Sequence, residues 1–245
     1  MTTRWGACLS GHNLDLLDWA EVLKQPFDPW VDVIERAGET LFVLRSEQFN
    51  RATSADELLA LAGSLVARLN GALALERSCK RVATSTVVEY SEMGAPRLRV
   101  FAQVGVAEER SRAYALAVAI GPHDAPLPPP PPEPSASQRW ISSADDHDAK
   151  GDVATHRADL LSDLLVHLGR CDNWFDIYKT IEFAELLAGG EHKLQNLAGT
   201  DRARIKNARV TANFHRHART HRPDNPVTLN EAHEAARVAA RIVLG

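Results

Sequence analysis

Five consecutive prolines, Pro128 to Pro132, constrain this chain more than any other feature. Proline has no amide donor and holds φ near −65°, so such a run is extended polyproline II with no ladder hydrogen bonds. Residues 121–137 carry most of the chain's proline, and the texture of the sequence changes across them. Short β-branched runs alternate with helical stripes upstream, whereas downstream only helical periodicity remains. This predicts an α+β recognition or assembly domain over 1–121, a stiff proline-rich and acidic linker over 122–152, and an all-α domain over 153–245. The Asp145-Asp-His-Asp148 stretch lacks apolar support and reads as solvated linker.

In the first part, residues 4–10 suit a short strand, and Leu14, Leu17, Trp19, Val22 and Leu23 recur at helical spacing until Pro26 and Pro29. Runs from Val31 and from Thr40 flank Ala37-Gly38-Glu39 as a hairpin would. Ser54-Ala-Asp-Glu57 matches a capping box, and Leu58, Leu61, Ala62, Leu65, Val66 and Leu69 form one stripe behind it, with Asn70-Gly71 as the stop. Residues 82–90, 97–106 and 112–120 read as three more strands. The order predicts an α+β fold whose mixed, largely antiparallel sheet carries two helices. In the second part, residues 154–168, 172–188, 201–217 and 228–244 have helical periodicity. Asp172 and Asp201 stand at N-cap positions and Thr228-Leu-Asn-Glu231 is a second capping box. The expectation is a four-helix bundle.

The formal charge of −4 excludes a protein that coats nucleic acid or membranes by bulk charge, so any anion site must be local. Cys8, Cys79 and Cys171 are odd in number, widely separated and without a CxxC pair, which reads as ordinary thiols in a reducing compartment. Residues 113–120 fall short of a membrane span, and no signal-like segment opens the chain, so a cytoplasmic location without membrane contact is expected.

Residues 206–222 concentrate arginine, histidine and carboxamide groups with very little acid. On one helix face Arg209, Asn213, Arg216 and His217 recur three or four apart, with His215 beside them. Guanidinium binds phosphate or carboxylate oxygens bidentately, and imidazole donates or moves a proton near neutral pH. The competing reading is a solvated basic face at a helix C-terminus. On the helix of 172–188, Trp174, Ile177, Tyr178, Ile181 and Ala184 or Glu185 form the buried stripe. Tyr178, Lys179 and Glu182 then either line a polar pocket between helices, or Lys179 and Glu182 form a surface ion pair. His215, His217 and His221 have suggestive spacing, but no HExxH, cysteine pair or nearby acid completes a zinc set, so neither a metal nor a cofactor is assigned. Phosphate loops and serine-nucleophile elbows are absent too.

Two resemblances follow from these residues. The segments 174–182, Thr211-Ala-Asn213, Arg216-His217 and 225–232 resemble a group of uncharacterised bacterial proteins, which implies no activity. Arg216-His-Ala-Arg-Thr-His221 is similar to the arginine, polar residue, three spacers, histidine signature of HEPN domains, and Arg209 to His215 fits a looser form of it. That resemblance implies a helical, homodimeric, metal-independent ribonuclease or RNA-binding domain. It implies that Arg216 stabilises a phosphate oxyanion and that His221 transfers a proton. Arg209, Asn213, His215, His217, Tyr178, Lys179 and Glu182 are then ligand-binding candidates, and the N-terminal domain is a candidate surface for a protein partner. The alternative from another class is a non-catalytic sensor or interaction protein that holds an anionic ligand through the same cluster.

Overall fold

The computed structural model describes residues 5–36, 39–90, 96–99, 132–146, 152–217 and 223–245. Five strands form one antiparallel sheet in the order β2-β3-β1-β4-β5: β1 Trp5–Ser10, β2 Trp30–Arg36, β3 Glu39–Arg45, β4 Ala83–Tyr90 and β5 Pro96–Arg99. The two-residue period of a strand sends Trp5, Ala7 and Leu9 of β1 into the helix-facing core and Cys8 to the opposite face, where it packs with Val43, Val88 and Tyr90. A methyl group at Gly6, on that opposite face, would stand 2.5 Å from Val43 Cγ1, so only glycine fits the strand there. Two helices accompany the sheet, α1 Asn13–Val22 and α2 Ala55–Glu76. The α+β class and the antiparallel hairpins are thus as expected. The expected strand at 112–120, most of that at 97–106, the hairpin turn at 37–38, and residues 128–131 of the proline run lie outside the described residues.

Downstream come α3 Ala136–Asp145, α4 Asp152–Gly169, α5 Trp174–Ala188, α6 Glu191–Leu197, α7 Arg202–His217 and α8 Leu229–Leu244. Helices α4, α5, α7 and α8 are the four expected ones. Thr228 and Glu231 close their capping box as predicted, and Gly189 ends α5 in the left-handed region at φ 85°. Asn173, one residue beyond the predicted Asp172, caps α5 by accepting from the Asp176 amide. Ser54 accepts from the Glu57 amide, but the Glu57 carboxylate turns to the amide and hydroxyl of Thr53 instead of Ser54.

The expected linker contains α3. Ser135 and Gln138 form its capping box, Ile141 and Ala144 are buried, and Gln138 donates to the carbonyls of Lys24, Phe27 and Pro29. Asp145, expected in solvent, pairs with the buried Arg68 of α2. The signals were present as Ser135-x-x-Gln138 and the spacing of Trp140, Ile141 and Ala144. Proline content outweighed them.

The two parts expected to carry separate cores share one. A single hydrophobic cluster runs from Trp5, Leu44 and Leu65 to Leu164, Ile181 and Ala236. Its bridge is α2, which is apolar on two sides and packs on both the sheet and α4. This helix has the length and apolarity of a membrane span, but its Leu58, Leu65, Leu69 and Leu73 are buried within the fold. Gly71 is not a stop: α2 continues to Glu76, and a Cβ at Gly71 would meet the Leu165 carbonyl oxygen of α4 at 2.1 Å. Gly169 makes the reciprocal approach, where a Cβ would stand 2.7 Å from the Ala67 carbonyl. Glycine at both positions lets the two helix backbones come closer than side chains allow. Arg81 adds a bond of 2.7 Å to the Gly169 carbonyl and a pair with Asp172, while Arg237 of α8 reaches the Ala74 carbonyl and Ser78.

Candidate anion-binding face of the helical half

Helices α5 and α7 run antiparallel, so the start of α5 meets the end of α7. The His215 ring stacks on Trp174 at 4.4 Å with 11° between planes, and the Arg216 guanidinium lies 4.2 Å from the Tyr178 ring centre. At the other end Arg209 Nη1 reaches Glu185 Oε1 at 3.3 Å and Glu191 Oε2 at 2.5 Å. The cationic series of α7 therefore meets α5 rung by rung, with two aromatic faces and then a carboxylate, and Glu191 of α6 joins the last rung. Ile205, Ala208, Thr211 and Ala212 fill the buried side of α7.

This geometry sorts the predicted residues into two groups. Arg209 is neutralised by two carboxylates and holds α7 to α5 and α6. Lys179 pairs with Glu182 at 2.5 Å and lies beside Phe183, so these two form an ion pair with each other and do not extend the Arg216 cluster. That is the surface-pair reading. Tyr178 is half-buried beneath Arg216, away from that pair. Remaining at the exposed end of α7 are His215, Arg216 and His217, with Asn213 half-buried one turn before. Arg216 Nε and Nη2 both reach His217 Nε2, at 3.1 and 2.9 Å, which makes that nitrogen the acceptor and places the ring proton on Nδ1. Among the described residues no carboxylate pairs with Arg216. His221, expected to transfer the proton, lies outside them.

Burial pushes the Glu185 carboxyl up to about 7, with Arg209 opposing the shift and Glu191 and Glu182 adding to it. Its cause is physical: an ionised carboxylate loses hydration in the α5–α7 interface, and one shared guanidinium does not replace it fully.

Two constellations escaped sequence reasoning. His167 Nδ1 meets Asp176 Oδ1 at 2.7 Å, the imidazole lies between Phe175 and Phe183, and Asn173 donates to the other carboxylate oxygen. The short turn between α4 and α5 brings this pair together, and that turn was the available signal. The second joins Asp15 and Asp18 of α1 to Cys79, 61 residues beyond Asp18, a distance no spacing rule covers. All three cysteines are free and buried. Burial and the carboxylates of Asp18 and Asp15 push the Cys79 thiol to about 12, and burial alone is the main cause of the same value at Cys171, so neither is a ready nucleophile.

Among the described residues, a cleft of about 410 Å³ is lined by Asp28, Glu47, Ser142, Ser143, Asp145 and Asp146, and one of about 220 Å³ lies between α2, β4 and the end of α4. The α7 cluster lines neither. No family model, curated protein or solved structure matches the chain.

Proposed function

We propose that the exposed end of the α5–α7 pair binds RNA, with unpaired nucleotides as the preferred form. The observation that carries this reading is the pair of stacks, His215 on Trp174 and Arg216 on Tyr178, because it holds cationic and imidazole groups flat, side by side and uncompensated by carboxylates among the described residues. Phosphates take the guanidinium edge, and base faces add to an existing aromatic and imidazole stack. Base–aromatic stacking of this kind contributes about 1–3 kcal/mol per base. The similarity of Arg216 to His221 to the HEPN signature supports the same class of ligand, and extends it to cleavage with Arg216 as the oxyanion donor and His221 as the proton carrier.

Anisotropy of labelled single-stranded RNA tests binding. Arg216→Ala is expected to weaken it about tenfold or more, since a hydrogen bond to a charged group is worth about 1.5–3 kcal/mol, and to lower the salt slope by about 1. Cleavage is tested in EDTA on the same RNA. The expected products carry 2',3'-cyclic phosphate, DNA is spared because it lacks the attacking 2'-hydroxyl, Arg216→Ala costs on the order of 100-fold and His221→Ala about 100- to 10,000-fold. Binding without turnover leaves an RNA-binding module. No binding at low salt, or binding indifferent to Arg216, sinks the reading.

A further inference from the structure

We propose that α1 and the turn following α2 form a site for a thiophilic divalent cation of the zinc class, held by Asp15, Asp18 and Cys79, with His12 completing the set. Asp15 and Asp18 stand one turn apart on α1, and the turn after α2 brings Cys79 against them, so that ligand atoms of all three lie within 4.8 Å of one another. Cys79 Sγ is 3.8 Å from Asp18 Oδ2. A tetrahedral zinc with bonds of about 2.3 Å to sulfur and about 2.1 Å to oxygen separates those two ligands by about 3.6 Å. His12 Nδ1 stands 3.8 Å from Asp15 Oδ2 but outside the group of atoms within 4.8 Å of one another, so its exposed side chain would rotate inward to become the fourth ligand. Asp15 is already oriented: its Oδ1 accepts the Lys80 amide at 2.9 Å and its Oδ2 faces His12.

Charge gives a second, independent argument. The Asp15 side chain is only 14% exposed, and among the described residues neither Asp15 nor Asp18 forms an ion pair with a lysine or arginine. Of the arginines flanking Cys79, Arg77 pairs with Glu21 and Arg81 with Asp172. Two partly desolvated carboxylates against a buried thiol carry a cost that a counter-charge removes. The donor types choose the cation. Calcium and magnesium take oxygen ligands, whereas a sulfur, oxygen and nitrogen set suits zinc or cobalt. When the metal–sulfur bond forms, the Cys79 thiol releases its proton to solvent, the carboxylates enter ionised, and His12 binds as neutral imidazole. The ion ties α1 to the segment leading into β4, a structural task separate from the α5–α7 face.

The experiment uses the full chain, stripped with EDTA, dialysed with a non-thiol reductant and titrated with Co²⁺. A thiolate-to-cobalt charge-transfer band with tetrahedral d–d bands is expected, saturating at one equivalent and displaced by Zn²⁺. Cys79→Ser should abolish the charge-transfer band. Because Cys79 also packs in the core, His12→Ala at an exposed side chain and the isosteric Asp15→Asn, whose Oδ1 still accepts the Lys80 amide, supply a test independent of folding. Asp15→Asn should weaken cobalt binding at least as much as loss of an outer-shell partner does, roughly 10- to 100-fold, while Cys171→Ala keeps the band. Cobalt bound without a thiolate band, or with affinity unchanged in Asp15→Asn, overturns the assignment.

Discussion

Two helix seams in this protein use opposite chemistry. At α2–α4 the backbones touch through Gly71 and Gly169, and Leu65, Leu69, Leu164 and Leu165 are fully buried around them. At α5–α7 the contact is made through Trp174, Tyr178 and Glu185 on one side and Arg209, His215 and Arg216 on the other. The first seam has little freedom, since close-packed interiors resist even one added methyl. The second keeps polar groups partly in water, where each contact is weak and a ligand competes on equal terms. The difference separates two tasks: the first seam joins the two parts of the chain into one core, and the second leaves His215, Arg216 and His217 at its open end, where the proposed ligand would bind.

The largest expected effects fall on the first seam. Leu165→Ala removes a fully buried side chain and should cost about 2–5 kcal/mol, and Gly71→Ala, which places Cβ against the Leu165 carbonyl, about 1–3 kcal/mol. Denaturant unfolding followed separately at the sheet and the helical half should show both signals moving together. If only one half loses stability, the shared core is not the unit of cooperativity. Limited proteolysis near residues 122–152 is likewise expected to leave the two fragments associated.

The second seam should divide into a structural end and an open end. Arg209→Ala strips Glu185 and Glu191 of their guanidinium and should cost about 1–3 kcal/mol, the penalty of leaving a buried polar group without its partner. Arg216→Ala at the open end should change stability by no more than about 0.5 kcal/mol. Equal melting losses in the two variants would erase the distinction between the ends of the seam.

A pH dependence probes the structural end of the same seam. Glu185 is raised from 4.5 in the unfolded chain to about 7 in the folded protein, so between these values the folded state binds more protons than the unfolded one. Stability from this group is therefore greatest below about 4.5 and declines as pH rises through about 7, by on the order of 1–3 kcal/mol at most. Glu185→Gln should flatten that part of the profile. A wild-type curve in which Glu185→Gln produces no change between these pH values would mean that the carboxylate is hydrated in the folded protein.

Much of the fold was legible from local chemistry. The alternation in 5–10, the hairpin of 30–45 and the four downstream helices are visible in the sequence because strand and helix periodicity, Thr228-x-x-Glu231 and Gly189 act over a few residues. The candidate site was legible in composition but not in roles. Nothing in the spacing of Arg209 and Arg216 says that one meets two carboxylates and the other a tyrosine ring, because those partners come from α5 and α6. Proline content hid α3, although its capping box was in plain sight.

The sequence by itself determined which segments are helix and strand, and that cations and imidazoles gather near the end of α7. Tertiary structure alone decided that α2 serves both halves, that Gly71 admits a neighbouring backbone instead of ending a helix, and that Asp15, Asp18 and Cys79 meet. The physical reason is range: propensity, capping and periodicity act between residues a few positions apart, whereas burial, charge pairing and close approach depend on which surfaces the whole chain brings together.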